Sequence, residues 1–62
     1  MTEEKKPPVG ALVRDTVRDR LGRVVDHQWG RVFMRGLRGR YEWDAWPDQL
    51  EVVPEEDAEE SR

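Results

Sequence analysis

The stretch "RVFMRGLRGRYEWDAW", residues 31–46, decides the fold. On either side of "GLRG" (Gly36 to Gly39) apolar and polar side chains alternate with the period of two that a half-buried strand requires. Taking "GLRG" as a four-residue loop pairs Arg35 with Arg40, Met34 with Tyr41, Phe33 with Glu42, Val32 with Trp43 and Arg31 with Asp44. One face then collects Val32, Met34, Tyr41 and Trp43. The other collects Arg31, Phe33, Arg35, Arg40, Glu42 and Asp44. A slip of one residue would turn the apolar set to solvent, so the alternation predicts a hairpin with a defined inside. Glycine at each end of the loop supplies positive φ at little cost.

Working outward, "QWGR" (Gln28 to Arg31) predicts a two-residue turn at Trp29-Gly30, pairing His27 with Val32 and Val25 with Met34. Val24 and Val25 compete for the inward position, and a bulge would exchange them. "ALVRDT" before this meander and "LEVV" after it bring the total to five short strands between residues 9 and 53. Pro47 in "WPDQL" stops the fourth strand and leaves room for a short 3₁₀ turn before the last one. No segment keeps helical spacing over three turns. A sheet this small must curl to cover its own apolar face. The expected fold is all-β, a five-stranded SH3-like small barrel over residues 9–53.

The flanks have a different composition. "MTEEKKPP" (residues 1–8) is charged and ends in two prolines, and it reads as a disordered lead-in. "PEEDAEESR" (residues 54–62) has no apolar side chain larger than alanine and reads as a disordered acidic tail. Of the formal charge of −3, the tail carries −4, the segment 9–53 carries +1 and the lead-in is neutral. The domain therefore lacks the basic footprint usual in nucleic-acid binders. Sixty-two residues bury only about 60% of the unfolded surface, and without cysteine no disulfide or thiolate metal site adds stability. No apolar run reaches the length of a membrane span, and the first residues lack a signal-peptide core, so a cytoplasmic protein is expected.

The segment "VGALVRDTVRDRLGRVV", with valines before a long first loop and then Gly22-x-Val24, resembles the KOW and Tudor-like branch of SH3-like barrels. The wider pattern "VGALVRDT", "LGRVVDH", "GRVFMRG" and "GRYEWDAWPDQLEVV" looks like short barrel proteins of high-GC bacteria across residues 9–53. The resemblance implies contact with nucleic acid or with the transcription and translation machinery.

Catalysis finds little to use. His27 is the only histidine and Ser61 the only serine, so a nucleophile with its base is not available, and no enzyme, metal or cofactor is expected. Binding has more to offer. Phe33 falls on the outer face, Trp29 sits at a turn tip and Trp46 is out of phase with Trp43, which marks all three as candidate apolar anchors. In the expected register Arg35, Arg38 and Arg40 gather at one hairpin end with no local acid, where they would accept an anion. The leading expectation is docking onto a protein partner through Trp29, Phe33, Trp46, Arg35, Arg38 and Arg40. The alternative is an RNA or DNA backbone held by Arg35, Arg38 and Arg40. A homodimer that buries the aromatics is a third reading.

Overall fold

The computed structural model describes residues 6–60, so the disorder expected of residues 1–5 and 61–62 lies outside the described range. Five antiparallel strands form one sheet: β1 (Leu12–Asp15), β2 (Arg20–Gln28), β3 (Arg31–Gly36), β4 (Glu42–Ala45) and β5 (Leu50–Val52). Their spatial order is β4-β3-β2-β1-β5. A 3₁₀ turn, Pro47–Gln49, joins β4 to β5, and a single helical turn, α1 (Asp57–Glu60), follows the sheet. Among the described residues no helix is long and apolar enough to cross a membrane.

The turn at Trp29-Gly30 is as the sequence predicts. Both residues have positive φ, 52° and 77°, as a type I′ turn demands, and Gln28 pairs with Arg31 and His27 with Val32. The competition between the two valines is settled by a bulge between Val24 and Asp26. Val24 pairs with Met34 and is buried, while Val25 turns out to solvent.

The β3–β4 hairpin keeps its faces but not its register. Met34 pairs with Trp43 rather than Tyr41, Arg35 with Glu42 rather than Arg40, Phe33 with Asp44 and Val32 with Ala45. The shift is two residues, so every side chain stays on its expected side. Two local terms favour it. The like-charge pair Arg35/Arg40 is replaced by an ion pair in which Glu42 Oε2 accepts Arg35 Nε–H at 3.0 Å and Nη2–H at 2.8 Å. The indole, inward in either register, also takes the place opposite Met34 that the phenol would otherwise hold. Tyr41 is thereby pushed off the strand end, and contrary to its expected place in the core it is 57% exposed.

The core lies on the concave face and comprises Val13, Val24, Val32, Met34, Trp43 and Ala45, with Ala11 and Leu50 packed against it. Trp43 on β4 donates its Nε1–H to Asp15 Oδ2 on β1 at 2.8 Å, although β3 and β2 lie between those strands. Side chains rising from one face can meet across two intervening strands only if the sheet is strongly curled. Gly22 makes room for this. A Cβ there would lie 2.8 Å from Trp43 Cη2 and 3.0 Å from the Arg35 carbonyl oxygen. Gly22→Ala is therefore expected to destabilise the fold by about 1–3 kcal/mol, read as a lower urea midpoint at unchanged slope. An unchanged midpoint would show that the indole can retreat.

Asp15 is the one fully buried carboxylate among the described residues. Its Oδ1 accepts the N–H groups of Val17 and Arg18 at 2.9 Å each, which shapes the turn after β1. Its Oδ2 accepts Arg18 Nη1–H at 3.1 Å as well as the Trp43 indole. Burial disfavours the charge, but the donors from Arg18, Trp43 and Val17 outweigh it and hold the carboxyl below its usual range.

Both flanks contribute contacts. Pro7 is buried, and its carbonyl oxygen lies 2.6 Å from His27 Nε2, which therefore carries the proton. At the other end Glu55 forms a fork with Arg23, with Nη1 to Oε2 at 2.9 Å and Nη2 to Oε1 at 2.7 Å.

Candidate functional site

The six candidate residues are spread along the length of β3 rather than gathered at one point. β3 spans five residue steps, about 17 Å. Trp29 and Trp46 lie beyond its first residue, and Arg38 and Arg40 lie beyond its last. Phe33 is midway on the convex face, half-buried between Asp26 and Asp44 on the neighbouring strands, not the open anchor expected. Arg35 is on the same face and is neutralised by Glu42.

At the first end, Trp29 stands at the tip of the type I′ turn and is 81% exposed. Trp46 is 48% exposed and leans toward the same turn, its ring 3.7 Å from where a Gly30 Cβ would sit. Arg31 lies over the Trp46 ring at 4.7 Å while its Nε faces the Asp44 carboxylate. Trp46 is set outward by the element that follows it. Pro47 opens the 3₁₀ turn, and Gln49 N–H donates to the Trp46 carbonyl at 3.0 Å. Thr16 ties this turn to the end of β1 by donating its N–H and its Oγ1–H to the Gln49 carbonyl oxygen, at 3.0 and 2.9 Å.

At the second end, Tyr41 stacks on Trp43 with ring centroids 5.6 Å apart and planes at 18°. The Arg20 guanidinium lies over both rings, at 4.9 and 5.2 Å. Sequence reasoning missed this stack because Arg20 and Tyr41 belong to different strand ends, which only the curl of the sheet brings together. Beside it is an open groove of about 770 Å³ whose walls include Arg20, Leu21, Leu37, Arg38 and Tyr41.

Charge on the domain is mostly committed. Arg14, Arg18, Arg23, Arg31 and Arg35 pair with Asp19, Asp15, Glu55, Asp44 and Glu42. Among the described residues Arg38 and Arg40 have no acidic partner, so the trio expected to hold an anion is reduced to two free guanidinium groups. The described residues contain no group of three His, Cys, Asp or Glu side chains placed to hold a metal ion. Set against known protein families, curated proteins and solved structures, the chain matches none of them.

Proposed function

We propose that the chain is a non-enzymatic cytoplasmic interaction module, an SH3-like small barrel of the KOW and Tudor-like type, that docks onto a protein partner through the end carrying Trp29 and Trp46. The observation that carries this reading is the backbone of Trp29. A bulky residue at positive φ is uncommon, because its Cβ crowds the carbonyl that follows, and a type I′ turn favours Asn-Gly at these positions. Trp29 thus sits in an unfavourable conformation and returns almost no burial to its own fold. A contact outside the chain accounts for both features. Trp46, cushioned on Arg31, supplies a second aromatic surface at the same end.

Trp29→Asn separates this role from a structural one. Asparagine tolerates positive φ, so the variant is expected to be as stable as wild type or more so, by up to about 1 kcal/mol. Partner affinity is expected to fall about tenfold or more. The measurement is thermal melting beside affinity purification of both chains after nuclease treatment. A partner retained equally by wild type and variant would remove Trp29 from the interface. A partner lost to nuclease would favour the second reading, an RNA or DNA backbone held by Arg35, Arg38 and Arg40. That reading draws on the unpaired Arg38 and Arg40 beside exposed Tyr41, and it is weakened by the Arg35–Glu42 pair.

A further inference from the structure

The convex face holds a row of ion-paired arginines: Arg14 on β1, Arg23 on β2, and Arg31 and Arg35 on β3. Three of them take their acid from the sheet or its tight turn, namely Asp19, Asp44 and Glu42. Arg23 is different. It stands directly across the ladder from Arg35, a like charge, and its acid is Glu55, which lies beyond the last strand. Two residues further on, Asp57 forms part of the groove wall near Arg14, Arg38 and Tyr41. The acidic segment after β5 therefore runs from Arg23 to the groove.

We infer that this groove binds an acidic, extended segment of a partner protein, and that residues 54–58 of the chain are a displaceable strap that competes for it. The groove offers apolar surface from Leu21, Leu37 and Val53 beside the guanidinium groups of Arg20 and Arg38, with Arg40 in the adjoining loop. Arg20 rests on aromatic rings, and Arg38 and Arg40 have no acid among the described residues, so carboxylates brought by a ligand meet cations that are not already neutralised. Within the chain Glu55 pairs with Arg23, and Asp57 forms part of the groove wall. The strap's hold is modest, because the Arg23–Glu55 fork is partly exposed to solvent, where ion pairs give little net preference. Tethering keeps the local concentration of those carboxylates high all the same, so the strap screens the groove until a better ligand arrives. A nucleic acid fits less well. Asp19, Glu51 and Asp57 line the same groove and would face a continuous run of phosphates, whereas a peptide can set apolar residues between its carboxylates.

The inference does not depend on the Trp29 end, and its test is separate. The acetylated, amidated peptide PEEDAEE and a short oligo-dT are each titrated into the full chain and followed by amide NMR shifts. The peptide is expected to move Leu21, Leu37 and Tyr41. Glu55→Gln, which releases the strap, is expected to bind it about threefold more tightly than wild type. Arg38→Glu is expected to abolish the shifts, and Trp29→Asn to leave them unchanged. Equal affinity of wild type and Glu55→Gln, or absence of groove shifts in both, overturns the inference. Shifts of the same residues by oligo-dT but not by the peptide overturn it too, and give the groove to nucleic acid.

Discussion

Trp43→Ala is expected to leave the chain unfolded at room temperature. Trp43 is buried against Met34 and Val24, lies over the Cα of Gly22, and ties β4 to β1 through Asp15. Deleting a core aromatic of this kind costs about 3–5 kcal/mol. A domain of this size has a net stability near the low end of roughly 5–15 kcal/mol, so little remains. The substitution also removes a donor from a fully buried carboxylate. Trp43→Phe keeps an aromatic ring in the core but loses the N–H and part of the packed ring; it is expected to cost about 1–3 kcal/mol, less than Trp43→Ala. Circular dichroism melts of both variants provide the check. A Trp43→Ala chain that melts cooperatively within a few degrees of wild type would mean that the indole is not what closes the curl.

The second large effect is expected at Asp15. In Asp15→Asn one carboxylate oxygen becomes an NH₂ group, and either orientation of the amide sets donor against donor. Facing Oδ2's partners it meets Trp43 Nε1–H and Arg18 Nη1–H; facing Oδ1's partners it meets the backbone N–H groups of Val17 and Arg18. Loss of about 3 kcal/mol or more is expected, because four donors lose their shared charged acceptor inside the fold. The pH dependence has a definite sign. The folded-state pKa of Asp15 is lowered, so its stabilising contribution is fully present above the unfolded value near 3.9 and disappears as pH falls through the folded value. Wild type is expected to hold its melting temperature from about pH 7 to pH 5 and to lose it below about pH 4. The gap between wild type and Asp15→Asn should narrow over that same acidic range. A gap constant down to about pH 2 would show that the buried charge is not the source of the effect.

Strands and turns were legible because their signals are local. Trp29-Gly30 announces a two-residue turn, Pro47 a break and a 3₁₀ turn, and the alternation around Val32 and Met34 an inward face. The candidate site was less legible. Trp29 and Trp46 follow from turn position and phase, but those signals reveal neither their separation from Arg38 and Arg40 by the length of β3 nor the pairing of Arg35 with Glu42. Glu55 looked like one more solvated acid, since nothing in "PEEDAEE" reveals that an arginine on β2 lies within reach.

What the amino-acid sequence determined by itself is the side of the sheet each residue takes. Side-chain direction in a strand repeats every second residue, so the faces can be read without knowing the partner strand. For the same reason it could not choose between registers two residues apart, because both put Val32, Met34 and Trp43 inside. Only the tertiary structure decided that. Glu42 rather than Arg40 meets Arg35, the indole rather than the phenol fits over Gly22, and Asp15 waits at the distance where Trp43 Nε1–H can reach it. Each of these terms joins residues far apart along the chain, and each exists only once the sheet has curled.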